Sequence, residues 1–515
     1  MKSLSAIIIL TFFSAAVFAQ AGDLDNTFDA DGKITTDINS GDDGAISVAI
    51  QPDGKIVTTG YAYNATGGEF ALVRYNTDGT LDSNFSEDGK VTTPIGSGAG
   101  ATSVIIQADG KIVAGGASFN GPDDDFTMVR YNTDGELDSS FSDDGKAITV
   151  IGSGNSVAES IAAQPDGKIV AAGFSHNGTI QYFALVRYNT DGSLDSSFSN
   201  DGIVTTAIGP GTDGANSLAI QPDGKIIAAG ISISGTETYF GLARYNTDGT
   251  LDNTFSTDGK VTTDIGSGTD VASSVAIQQD GKIVVAGSSS DGTNYDFSLV
   301  RYNADGTLDN GFSSDGKVTT AISAAYDRAF SVALQPDGKI VAAGSSWDGT
   351  NYIFALVRYN TDGTLDNSFN ADGKVTTDIG SGNDEANSLV IQSDGKIVVA
   401  GRSDTGLNID FAVVRYLSGL NVGTLNLTFS SSSQLIYPNP IHQTETLEYT
   451  LTKNESLTIA LYDVNGKLIR NFISDEQRSA GAHKETLNIG ELTSGNYFLT
   501  ISNGSQKMTV KIVKQ

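Results

Sequence analysis

The dipeptide Arg-Tyr recurs seven times, at Arg74, Arg130, Arg187, Arg244, Arg301, Arg358 and Arg415, and its spacing constrains the fold more than any other feature. The first interval is 56 residues and the other five are 57. Asp-Gly-Lys-Ile keeps the same rhythm from Asp53 to Asp394, and Leu-Asp-x-x-Phe keeps it from Leu24 to Leu365. Within one period, residues 251–302, four stretches carry strand chemistry: 260–263, 274–277, 282–287 and 297–302. None sustains a helical period. Asp-Gly between apolar runs is a hairpin signal, because glycine accepts the positive φ such turns need. Four short strands repeated seven times predict an all-β chain whose residues 20–416 form a seven-bladed β-propeller.

The ends of the array suit a closed ring. The first copy opens on the strand 33–36 with no Arg-Tyr strand before it, and the last ends on Arg415-Tyr416 with no Lys-Val-Thr-Thr strand after it. If 33–36 completes the blade holding 388–416, no sheet edge is left open to aggregation. Starting each blade at the Lys-Val-Thr-Thr strand also gives seven blades, so two blade phases remain open.

The units at 335–344 (Gln-Pro-Asp-Gly-Lys-Ile-Val-Ala-Ala-Gly), 354–363 and 365–369 resemble delta-60 repeats. The resemblance covers about residues 24–416. It implies a β-propeller of bacterial surface and secreted proteins, and it brings no catalytic activity and no ligand.

The period stops near residue 417. Residues 417–436 read as a linker and 437–515 as a second module, with alternating strand candidates at 447–451, 457–462, 468–470, 496–501 and 508–513. Such a pattern over some 80 residues predicts a small immunoglobulin-like β-sandwich. Tyr437, Pro438, Asn439 and Pro440, the turn from Asp463 through Gly466 to Lys467, Gly495 with Tyr497, and the terminal Lys511 to Lys514 resemble the type A sorting domain of the type IX secretion system. That resemblance implies the type IX machinery as partner, a Bacteroidetes-type bacterium, and a product secreted or held on the outer-membrane surface. Residues 1–19 combine Lys2, a short apolar run and a small-residue cleavage site after Ala19, as a secretory signal peptide does. No later segment reaches membrane-spanning length. Cysteine is absent, so stability must come from the core and ring closure rather than disulfides.

The formal charge of −30 lies almost wholly in the repeats, because residues 423–515 hold eight acidic and eight basic side chains. A surface this acidic repels nucleic acid and anionic membranes. Much of the acidity repeats at fixed turn positions, where aspartate makes local hydrogen bonds to backbone. The Arg-Tyr arginines are expected to pair with the Leu-Asp carboxylates, within or between blades.

No nucleophile, histidine-rich metal or phosphate-cradling motif is present. The histidines are His176, His442 and His483. Asp29 with Asp31, and Asp143 with Asp144, pair carboxylates as calcium loops do, but no copy completes the Asp-x-Asp-x-Asp-Gly pattern with its distal glutamate. No metal, cofactor or catalytic residue is therefore expected, calcium being the one ion such turns could take. Paired carboxylates acting on a glycan are the enzymatic alternative, and a ligand-free display module is the structural one. A binding function would sit on loops that differ between copies. An up-down strand order puts those loops on one face, with Tyr63, Asp123, Asp124, Asp125, His176, Tyr326 and Trp347 as candidate contacts for a glycan or protein.

Overall fold

A computed structural model describes residues 20–420, 427–428, 444–451, 454–462, 467–490, 492, 495–502 and 507–514. The chain divides into two units, Met1–Gly419 and Leu420–Gln515. The expected signal peptide lies outside the described residues, as do Tyr437, Pro438, Asn439, Pro440, His442, Asp463 and Gly466.

The first unit is a ring of seven four-stranded antiparallel sheets. Blade 1 runs Asp43–Ile50, Ile56–Asn64, Gly67–Tyr75 and Lys90–Thr93, innermost to outermost, and blades 2 to 6 repeat that order. Blade 7 takes Asp384–Ile391, Ile397–Asp404 and Ile409–Tyr416 from the end of the array and its outermost strand, Lys33–Thr36, from the beginning. There Lys33 pairs with Val414 and Thr36 with Phe411. The Lys-Val-Thr-Thr strand is thus the last of a blade, which decides the blade phase. The expected strand at 274–277 is the second half of a longer one, Asp270–Ile277.

Second and third strands are apolar on both sides because each blade is covered by its two neighbours. The core is accordingly divided among the joints. Ile227, Leu242 and Phe255 of blade 4, for example, close on Val275, Ile283 and Tyr302 of blade 5. The phenylalanine of each Leu-Asp-x-x-Phe unit, Phe255 here, is wholly buried.

Every innermost strand carries a register shift inside an Ala-x-Ser triplet, such as Ala158-Glu159-Ser160. The glycine opposite it explains why. A Cβ on Gly173 would lie 1.9 Å from the Val157 carbonyl oxygen, and Gly60, Gly230, Gly287, Gly344 and Gly401 are equally crowded. The extra residue x stays unpaired, as in a β-bulge. Each triplet serine accepts a backbone N–H from the next innermost strand, as Ser160 does from Leu218. The chain of seven closes when Ser388 accepts from Val48. The innermost strands therefore encircle the ring axis.

The second unit holds two antiparallel sheets. One orders Leu427–Thr428, Thr444–Leu451 and Gly481–Asn488; the other orders Leu468–Arg478, Glu455–Tyr462, Gly495–Ser502 and Lys507–Lys514. They share one core, built from Leu447, Leu451 and Leu487 on one side and Leu457, Ile459, Leu499 and Ile501 on the other. Leu427–Thr428 is a strand inside the segment expected to be linker, and it pairs with Thr450 and Leu451. Among the expected sorting residues, Gly495 pairs in register with Lys514, Tyr497 lies opposite Ile512, and Lys511 opposite Phe498.

Candidate functional site

The two faces of the propeller are built on different principles. One carries the Asp-Gly turns between first and second strands and the long connection from third to fourth strand. In it the expected Arg–Asp ring is realised. Arg187 Nε sits 2.6 Å from Asp195 Oδ2, Lys168 Nζ lies 2.7 Å from the same oxygen, and the guanidinium stacks 4.6 Å from the Phe198 ring centroid. Arg187 also donates to the Thr247 carbonyl of the following blade. The same set recurs in all seven blades, ending with Arg415, Asp25, Lys396 and Phe28, where Arg415 reaches Thr77 of blade 1. Burial works against the charge of the Asp25 carboxyl, but bonds from Thr27 and Lys396 and the Arg415 charge hold it down at about 2. One step along the chain, the Tyr188 hydroxyl meets the hydroxyl of Thr149 in the preceding blade at 2.8 Å, a bond made in six of the seven joints. This face is a repeated latch.

The other face carries the loops between second and third strands and those from the outermost strand to the next blade. Over blades 1 to 3 it opens into a cleft of about 750 Å³ lined by Tyr61, Tyr63, Phe119, Asp124, Thr102 and Glu159, among others. Tyr63 is 53 % exposed, and its ring lies 5.4 Å from that of Tyr61. Tyr61 is held from below, since Arg402 donates to its hydroxyl at 3.2 Å and pairs with Glu385 at 2.8 Å. Gly68 makes room for the Tyr63 ring, which a Cβ there would approach to 3.1 Å. Phe119 is exposed in the cleft as Tyr63 is, whereas Tyr61 is half-buried.

Glu159 and Thr102 are the unpaired bulge residues of their innermost strands. In the other blades the same position holds Ile46, Asn216, Ser273, Phe330 and Asn387, so Glu159 is the one carboxylate in this circle of seven. Burial pushes its carboxyl up to about 7, and among the described residues it has no hydrogen-bonded or ionic partner.

The seven residues expected from sequence do not converge on this cleft. Tyr63 and Asp124 line it. Asp123 falls in the turn before the strand Asp124–Tyr131. Asp125, one residue after Asp124, turns to the other side of that strand and is 7 % exposed, its carboxyl raised by burial and by the charges of Asp123 and Asp124. His176 ends the strand Ile169–His176 and accepts from the Gly178 amide through Nδ1. Tyr326 packs 6.1 Å from Tyr295, over which Arg328 lies at 4.7 Å. Trp347 meets Tyr352 edge-on at 5.1 Å. These last two pairs form separate aromatic patches on blades 5 and 6. Tyr61, Phe119 and Glu159 were missed. A signal for Glu159 was present: x is the column that varies within an otherwise repeated Ala-x-Ser.

A closed ring of repeated latches with one face of differing loops defines a repeat β-propeller. Family comparison assigns the repeats at 51–85, 107–141, 164–198, 221–255, 278–312, 335–369 and 392–429 to a β-propeller domain of unknown function, DUF5122, and residues 435–515 to a secretion system C-terminal sorting domain. The chain belongs to the DUF5122 β-propeller proteins and carries a type IX sorting domain. No curated protein matches it. Among solved structures, Chaetomium thermophilum Sqt1 bound to the N-terminus of ribosomal protein L10 is 13 % identical, with 74 % of this chain and 98 % of that one aligned at a TM-score of 0.43. A protein from Lactobacillus plantarum is 12 % identical over 84 % and 99 %, at 0.38. A PL25 ulvan lyase is 11 % identical over 71 % and 77 %, at 0.29. Overlaps this loose carry no functional argument. The sorting domain indicates type IX secretion, to the medium or the cell surface of a Bacteroidetes bacterium, and no described helix is long and apolar enough to cross a membrane.

Proposed function

We propose that the chain is an exported, non-catalytic binding propeller whose ligand, a glycan or a protein, docks in the cleft over blades 1 to 3. The observation that carries this reading is the convergence of Tyr61, Tyr63 and Phe119 at one opening of an otherwise repetitive ring. Aromatic faces stack on the apolar faces of sugar rings or anchor a partner side chain, while Asp124, Glu159 and Thr102 offer hydrogen-bond acceptors beside them. Residues 1–19 act as the signal peptide for the first export step, and the sorting domain engages the type IX machinery for the second. The ligand face needs no cofactor. A glycan and matrix-protein array probed with the purified chain tests the reading, with Tyr63→Ala as the paired control. Binding that Tyr63→Ala weakens supports it; binding indifferent to that change, or none at all, sinks it.

One observation favours a second reading. A carboxyl raised to about 7 in a cleft is suited to general acid catalysis, and Asp124 lines the same cleft. Turnover of an array-positive glycan, abolished by Glu159→Gln, would replace the binding reading with a glycan-active enzyme.

A further inference from the structure

Three carboxylates meet where the ring closes. Asp37 follows the outermost strand of blade 7, Asp410 lies on that blade's third strand, and Asp43 opens the innermost strand of blade 1. Each offers an oxygen within 4.8 Å of the other two, and no other such group of metal-ligating side chains occurs among the described residues.

The joint is unlike the other six. In chain order from blade 1, the Asp410 position holds Glu69, Asp125, Tyr182, Tyr239, Asp296 and Ile353; the Asp37 position holds Pro94, Val150, Ala207, Asp264, Ala321 and Asp378; and the Asp43 position holds Ala99, Ser156, Asp213, Asp270, Asp327 and Asp384. Any other joint has at most two acids. Capping accounts for Asp43 and its counterparts. Asp43 accepts from Ile38 N at 2.8 Å and Phe411 N at 3.0 Å, and Asp213 caps Ile208 in the same way at 2.8 Å. Asp37 Oδ1 likewise accepts from Ser40 N.

Asp410 has no such account. It is 9 % exposed, and its Oδ1 is buried without a hydrogen-bond partner. Burial and the neighbouring charges of Asp37 and Asp42 act against its ionisation. Among the described residues, no lysine or arginine forms an ion pair with Asp37, Asp43 or Asp410. The Lys90 ammonium is bonded instead to the Asp37 backbone carbonyl at 2.7 Å. A buried, unpaired carboxylate facing two others is costly unless something positive sits among them.

We propose that Asp37, Asp43 and Asp410 bind one calcium ion that clamps the joint between the first and last blades. All donors are carboxylate oxygens, the set a hard divalent cation takes. Three carboxylates supply up to six oxygens with some lone pairs already engaged, and exposed Asp37 leaves a side open for water and for the ion to enter. Calcium accepts six to eight oxygens in loose geometry, whereas magnesium demands a near-ideal octahedron. The ion ties residues from the two ends of the array, Asp37 and Asp43 against Asp410, beside the one blade whose third and outermost strands are not joined by a covalent connection. The site is distinct from the Asp-Gly turns and independent of the ligand cleft.

Calorimetric titration of the purified chain with calcium, alongside thermal unfolding, tests this. One calcium per chain is expected, with a Kd on the order of 0.1–1 mM as in extracellular modules, and magnesium should bind more weakly. At ten times Kd, Tm should rise by on the order of 2 °C. Asp410→Asn should weaken binding at least tenfold. Asp37→Asn, at an exposed position where folding is not at stake, should do the same. Asp296→Asn, the matching change in a two-acid joint, should leave calcium binding intact. Absence of a calcium response, or an equal response in Asp410→Asn and Asp296→Asn, overturns the proposal. So does an Asp410→Asn protein that melts higher than wild type with or without calcium, which would show carboxylates that only repel.

Discussion

Both faces of this propeller are made by the same four strands and the same number of connections, yet they solve different problems. On the latch face every blade spends its arginine on its own aspartate, its own phenylalanine and the next blade's carbonyl. A change there in one copy breaks a joint, so the residues repeat. On the loop face the joints are secured lower down, by the serine bonds between innermost strands. Side chains above them are free to differ, and they do: Tyr63, Phe119 and Glu159 have no copies in the other blades. Repetition marks where stability resides, and departure from it marks where the proposed ligand and ion sites lie.

The largest test of this contrast is on the latch. Arg187→Ala leaves buried Asp195 with Lys168 as its one cation and strips the cover from Phe198. Removing one partner of a buried pair typically costs about 3–5 kcal/mol, and the remaining lysine places the expectation at about 3 kcal/mol. Urea unfolding measures it, and a loss below about 1 kcal/mol would mean that the seven latches are dispensable one at a time.

On the loop face the effect should fall on binding and spare folding. Tyr63→Ala removes an exposed ring, so stability should change by less than about 0.5 kcal/mol. Affinity for an array-positive ligand should drop about tenfold, the value of about 1.4 kcal/mol of stacking. Equal losses in stability and affinity would erase the distinction between the faces.

Acidity separates them again. Asp25 is held at about 2 in the fold against an ordinary 3.8, so its contribution is complete above pH 4 and is lost as pH falls towards 2. Glu159 runs the other way. Its folded value of about 7 lies above the ordinary 4.5, so between those pH values the folded chain binds more protons than the unfolded one and loses stability as pH rises. Tm should therefore fall off acidically through the latch and, more gently, from pH 5 to 7 through Glu159. Asp43, raised to about 7 by burial and by the charges of Asp410 and Asp37, shares the second slope, so Glu159→Gln should lessen it and leave the first untouched; an unchanged slope would show that Glu159 is solvated like any surface acid.

Much of the ring was legible because its determinants are local and repeated. Asp-Gly turns, strand lengths and the Arg-Tyr spacing each report on neighbouring residues, and the orphan strand Lys33–Thr36 announced the closure. The Arg–Asp pairing was legible as well, since every blade offers the same two residues. The loop face was not. Asp43 and Asp410 meet only because the ring closes, and nothing in either segment names the other. Glu159 reads as an ordinary strand residue until the Gly173 contact forces the bulge that leaves it unpaired. Asp123, Asp124 and Asp125 look like one acidic site, but strand alternation sends Asp124 and Asp125 to opposite sides.

Trp347 supplies the smallest effect and the sharpest boundary. As the only tryptophan in the chain it invites assignment as the ligand anchor. Its ring is instead occupied by Tyr352, its loop belongs to blade 6, and the cleft is lined from blades 1 to 3. Trp347→Ala should therefore change affinity less than twofold in the assay where Tyr63→Ala changes it tenfold, at a modest cost to the local aromatic pair of about 0.5–1.5 kcal/mol. Comparable losses from both variants would require a ligand long enough to cross the ring mouth, touching the blade 6 patch and the cleft at once. The differing loops would then act as one extended surface, and the contrast would lie between whole faces of the ring rather than between one cleft and the rest.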